Sequence, residues 1–158
     1  MWYVGFPDTP LTITKQLIIN VMPETQNIEY KSVWKDEYLK WICGFANAQG
    51  GTLYIGKDDN GNIVGVRNAK KLLEELPNKI TTILGIVAPV NLYQTEQGDY
   101  VEIVVEPHPN PVNYKGEYHF RSGSTKQELK GAALDKFLLH KYGKNGMLLQ
   151  FQVSRFQN

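Results

Sequence analysis

From Ser32 to Asn47 the apolar residues Tyr38, Leu39, Trp41, Ile42, Cys43, Phe45 and Ala46 fall on nearly every face, which predicts a deeply buried helix. Gly50-Gly51 closes it, because glycine accepts the left-handed conformation that ends helices. A short strand over residues 27–31 precedes it. After it, Leu53 and Ile55 alternate with Thr52 and Tyr54, the period of a strand with one buried face. Asn60-Gly61 then predicts a hairpin turn, with Asn62 to Val66 returning. Asn68 to Ile86 reads as helical, split in two at Pro77. Val90 to Thr95 and Tyr100 to Glu106 form a second hairpin about Gln97-Gly98. Pro107, Pro109 and Pro111 enforce an extended link, and Val112 to Arg121 makes a third strand pair turning at Lys115-Gly116. Thr125-x-x-Glu128 reads as a capping box opening a helix with the stripe Leu129, Ala133, Leu134, Phe137 and Leu138. Residues 1–23 mix aromatics with prolines and read as an irregular lead-in, helical or extended around Thr12 to Val21.

Hairpins interleaved with about three helices predict an α+β fold with a mixed, largely antiparallel sheet. At 158 residues one domain suffices. We divide the chain into a lead-in over 1–21, a domain over 22–142 and a C-terminal extension over 143–158.

The formal charge of +1 hides a division along the chain. Between Asn113 and Lys144 seven Lys or Arg face three acids, whereas Gln94 to Glu106 has only acids among its charges. Such a split suits one polyanion-facing surface or, equally, a solvated helix face. Cys43 stands alone in an apolar run, so an intrachain disulfide and a thiolate zinc site are excluded and a cytoplasmic setting is expected. His108, His119 and His140 lack ligand-like spacing. Leu17 to Met22 is too short to cross a bilayer, the N-terminus has no signal-peptide pattern, and no membrane partner is expected.

Candidate chemistry sits in two places. On a strand Glu29 and Lys31 point the same way with Tyr30 opposite. With Glu24, Asp58 and Asp59 brought near, these carboxylates could hold a divalent ion through oxygen while Lys31 offsets charge on a phosphate. The competing reading is an exposed cross-strand charge pair and ordinary turn chemistry before Asn60-Gly61. The second place is Tyr118-His-Phe-Arg121-Ser-Gly-Ser-Thr125, where a helix start beside Arg121 could meet a phosphate and Tyr114, Tyr118 and Phe120 could stack on bases or fill the core. No G-x-x-x-x-G-K-[ST] occurs, which excludes a P-loop.

Three stretches in order, Glu24-x4-Glu29-Tyr-Lys31, Phe45-Ala-Asn-Ala-Gln-Gly-Gly-Thr-Leu-Tyr-Ile-Gly-Lys-Asp-Asp-Asn-Gly-x-Ile-Val-Gly65 and Tyr118-x-x-Arg121-Ser-Gly-Ser-Thr125, resemble the Schlafen-type AlbA-like domain, also catalogued as divergent AAA. The resemblance implies a DNA- or RNA-binding domain, commonly the DNA-binding part of a transcriptional regulator in bacteria and archaea. In the Schlafen branch similar domains are endoribonucleases that use two glutamates and an aspartate with Mg or Mn. By position those acids are Glu24, Glu29 and Asp59, with Lys31 matching the family's lysine. Schlafen cores have two such lobes, so a homodimer is expected here. The nucleic-acid contacts expected are Lys31, Lys115, Arg121, Ser122, Lys126 and Lys130. A dimerisation or partner-docking module without catalysis is the remaining alternative.

Overall fold

The computed structural model describes Glu24 and residues 27–145. Strands β1 (Ile28–Lys31), β2 (Gly51–Ile55), β3 (Val90–Thr95) and β4 (Gly98–Val105) form one sheet in the order β1-β2-β4-β3. β1 and β2 run parallel and the other pairs antiparallel. Parallel neighbours need a crossover, and helix α1 (Leu39–Asn47) makes it, entered through a single 3-10 turn at Asp36–Tyr38. Helix α2 (Ala69–Leu84) follows β2. A second sheet, β5 (Tyr118–Ser122) with β6 (Thr125–Leu129), lies against α1, and helix α3 (Gly131–Asn145) follows. Among the described residues the fold is α+β with three helices and a mixed, mostly antiparallel sheet, as the hydrophobic pattern implies.

Leu53, Ile55, Val101 and Ile103 are fully buried against Leu39, Ile42 and Phe45 of α1 and Leu72, Leu76 and Ile80 of α2. Glu29 and Lys31 pair in register with Leu53 and Ile55. Both therefore belong to the helix-covered face of the sheet, while Tyr30 joins Tyr54 and Tyr100 on the other.

Four local expectations are corrected. Pro77 does not split its helix. It is exposed, while Ala69, Leu72, Leu76, Ile80 and Leu84 continue one buried stripe on both sides of it. Packing of that stripe outweighs the lost backbone bond. Asn62 to Val66 does not return as a strand. Asp58 gathers the turn, and beyond one bridge between Lys57 and Ile63 the backbone amides of Val64 and Gly65 bond back to the Gly56 carbonyl. Val112 to Arg121 is one bridge, Tyr114 to Glu117, followed by β5. Finally, Thr125 to Leu129 is a strand rather than the first turn of a helix. Thr125 Oγ1 donates to the Ser122 carbonyl at 2.9 Å and closes a β5–β6 hairpin over Gly123, whose φ is +60°. The helix begins only at Gly131. The lead-in over 1–21 lies outside the described residues.

Candidate nucleic-acid interface

The hairpin alternates strictly, with His119 and Arg121 buried toward α1 and Tyr118 and Phe120 half-buried on the opposite side. Two features of α1 let it approach. Gly44 has no side chain, and a Cβ there would lie 3.4 Å from the Arg121 amide. Buried Asn47 donates to the carbonyls of Val112 (2.8 Å) and His119 (2.7 Å) and accepts from the Val112 amide (2.8 Å). A buried amide whose bonds are all satisfied fixes register as well as position. Cys43 stays a thiol, pushed up to about 11 by burial, and donates to the Val112 carbonyl at 3.2 Å.

Arg121 is thereby drawn inside. Its side chain is 1% exposed, and Nη1 donates to Glu29 Oε2 at 2.7 Å while Nη2 donates to the Ile28 carbonyl at 3.0 Å. The guanidinium also lies 4.9 Å from the Trp41 ring centroid and 5.2 Å from that of Phe45. Glu29, itself 2% exposed, gives its other oxygen to Lys31 Nζ at 2.8 Å. The expectation of Arg121 as a surface contact is corrected accordingly. A guanidinium cannot shed its charge, so its burial requires the Glu29 carboxylate. This pair ties the hairpin to β1.

Lys31 continues outward from Glu29. Its Nζ lies 4.7 Å from the centroid of Trp41 and 5.1 Å from that of Tyr38. Lys126 approaches the same indole at 5.9 Å. Lys40, next to Trp41 on α1, and Lys115, on the exposed turn, flank the Tyr114 ring at 5.7 and 5.3 Å. A band of lysines thus interleaves with half-buried aromatic rings. Burial lowers the Lys126 pKa, and repulsion from Lys40 lowers it further. Burial likewise keeps His119 below its ordinary value, with Glu117 opposing this and Lys126 adding to it.

Of the residues expected from sequence, Lys31, Lys115 and Lys126 fall on this band. Lys130 lies past the end of β6, 80% exposed and paired with Glu128 at 2.9 Å. Ser122 sits at the hairpin turn. The sequence reading missed Tyr38, Lys40 and Trp41, whose signal was a lysine and two large aromatics inside a segment otherwise apolar on all faces.

The acids separate by role. Asp58 accepts from the amides of Asn60 (3.0 Å) and Asn62 (2.9 Å) and from Asn62 Nδ2 (3.3 Å), bonds that lower its pKa and make it a turn-former. Glu24 accepts from the Tyr30 amide at 3.2 Å. Its pKa is raised, chiefly by burial and then by Glu29, with Asp59 adding to the repulsion. Glu24, Glu29 and Asp59 are therefore electrostatic neighbours. They do not, as arranged, fit a divalent ion, because both Glu29 oxygens are held by cations. Among the described residues, three ligand-type side chains do bring donor atoms within 4.8 Å of one another at Glu117, His119 and Glu128. Each already has a lysine: Lys40 3.7 Å from Glu117, Lys126 3.3 Å from His119 and Lys130 on Glu128. That cluster is a network already supplied with cations by the protein itself.

Residues 24–130, more than half of the chain, match the family described as Schlafen, AlbA_2. The chain belongs to the Schlafen AlbA_2 family. No curated protein matches the sequence. Among solved structures, the DIP2311 protein from Corynebacterium diphtheriae is similar with a TM-score of 0.56 at 15% identity, over 75% of this chain and 29% of that one. The AlbA_2 chain thus spans less than a third of that protein, and the likeness shows the fold alone. The N-terminal domain of a RecG-related protein from Nitrosomonas europaea aligns with a TM-score of 0.49 at 18% identity, over 73% of this chain and 86% of that domain. Family membership points to a nucleic-acid-related domain. Among the described residues no helix is long and apolar enough to cross a membrane.

Proposed function

We propose that this AlbA_2 domain binds DNA or RNA through the lysine–aromatic band around Trp41, as the nucleic-acid-contacting part of a transcriptional regulator, and that it works as a homodimer. The observation that carries this is the interleaving of Lys31, Lys40, Lys115 and Lys126 with Tyr38, Trp41 and Tyr114. Lysines neutralise phosphates, and half-buried rings at the surface give bases something to stack on. Three or four phosphate contacts predict a log–log salt slope of about −3, so affinity falls roughly sixtyfold between 50 and 200 mM salt. Fluorescence anisotropy with labelled oligonucleotides measures it. Salt-independent or absent binding turns the assignment to a protein-docking module.

A metal-dependent endoribonuclease is the second reading, favoured by the bond from the Tyr30 amide that holds Glu24 next to β1, where Glu29 and Asp59 raise its pKa along with burial. It ranks lower because Glu29 is committed to Arg121 and Lys31. The test is transfer RNA with and without Mn or Mg, using Glu24→Gln and Asp59→Asn, since a Glu29 variant would also release Arg121. Cleavage that survives both variants, or no cleavage at all, ends this reading.

A further inference from the structure

On the far side of the hairpin from Trp41, β5–β6 and α3 leave a two-part cleft. The apolar part, of about 550 Å³, is lined by Phe120, Leu129, Ala133 and Phe137, with Lys136 and His140 at its rim. The polar part, of about 300 Å³, shares Phe120, Phe137 and His140 and adds Asn47, Ser122 and Lys141. Both volumes fall in the range of about 300–1,000 Å³ found for ligand pockets. Phe120 and Phe137 meet edge to face, with centroids 5.9 Å apart and planes at 72°. Phe137 is held in place at 9% exposure, while Phe120, at the centre of both parts, is half-buried.

The charge of the lining identifies the occupant. Lys136 and Lys141 line the cleft and no described lining residue is a carboxylate, while the Arg121 charge beside it is taken up by Glu29. A flat apolar slot beside cations suits a ring that carries an anion. The chain's own residues 146–158 offer Met147, Leu148, Leu149 and Phe151, but their one charged side chain is Arg155, of the wrong sign for this rim.

We propose that this cleft binds one unpaired nucleotide of a nucleic-acid strand, its base against Phe120 and Phe137 and its phosphate toward Lys136 and His140. The inference rests on the nucleic-acid reading above and adds to it a contact that a duplex cannot make, because a paired base stays stacked. A base stacked on an aromatic ring contributes enough for a preference of roughly fivefold or more for single strands over duplex.

The experiment compares anisotropy titrations of an unpaired oligonucleotide and its duplex with the full chain, Ala133→Trp and Lys126→Glu. Ala133 is exposed on the cleft wall, so tryptophan fills the slot without disturbing the core. The expected result is single-strand preference in the unaltered chain, lost in Ala133→Trp with duplex affinity unchanged, and both affinities reduced in Lys126→Glu. Equal binding of the two forms, or a preference that survives Ala133→Trp, overturns the cleft while leaving the Trp41 band standing. So does an Ala133→Trp protein that only changes its oligomeric state or melting temperature, which would assign the cleft to a second copy or to the chain's own end. If neither form binds, the nucleic-acid reading itself has failed. NMR with adenosine 5′-monophosphate then decides the cleft alone: shifts of the Phe120 and His140 resonances sustain it, and unmoved resonances overturn it.

Discussion

Arg121→Ala is expected to remove about 3–5 kcal/mol of folding stability, the usual cost of breaking a buried ion pair from one side. The substitution leaves the buried Glu29, 2% exposed, to the partly exposed Lys31, strips the Ile28 carbonyl of a donor, and opens a void between Trp41 and Phe45. The melting temperature should fall by roughly 6–20 °C at this chain length. Removing both charges together, as Arg121→Leu with Glu29→Leu, should recover part of the loss, because a well-packed apolar replacement of a buried pair is often neutral. Urea denaturation of the two single variants and the double variant measures the coupling. A loss below about 1 kcal/mol for Arg121→Ala, the range of an exposed pair, would return Arg121 to the surface and make it a direct contact after all.

The same residue explains what the sequence could and could not disclose. Periodicity was enough for β2, for the β3–β4 hairpin and for α1 from Leu39 on, although the helix expected from Ser32 starts only there, because each has a buried face whose repeat leaves little choice. It failed at Thr125 to Leu129, where a capping-box spacing and a strand alternation coexist in five residues. There the decision is tertiary: the hairpin forms because α1 offers Gly44 and Asn47 to receive it. Once the segment is a strand, Arg121 and Lys126 point toward α1, and the arginine is swallowed by Glu29 while the lysine reaches Trp41. A motif spacing placed Glu29 and Arg121 in one site, but nothing in the linear order says that they neutralise each other. The signal for the lysine–aromatic band was similarly hidden, since Lys40 and Trp41 sit in a segment that reads only as core. Asp58 was legible as a turn residue, because Asp before Asn-Gly satisfies amides it shares with its own loop.

Lys40→Glu combined with Lys126→Glu should have the largest effect on binding. Both lysines border the aromatic band, and their mutual repulsion, together with burial, already disfavours the charged Lys126. Glu117 offsets that cost only in part, which fits a surface kept positive for an anion. Two glutamates repel as two lysines do and would also face Glu117, so the melting temperature is measured beside binding and the affinities are compared on folded protein. A charge-assisted contact contributes about 1.5–3 kcal/mol. Losing two of them lowers affinity about a hundredfold or more, since each 1.4 kcal/mol is a factor of ten. The salt slope should flatten by about 2, roughly one unit for each phosphate contact removed. The control is Lys70→Glu with Lys71→Glu, exposed lysines on α2 away from the aromatic rings, which should leave affinity within about twofold. Equal losses in both double variants would mean that only net charge matters, and the band around Trp41 would then have no claim to be the contact surface.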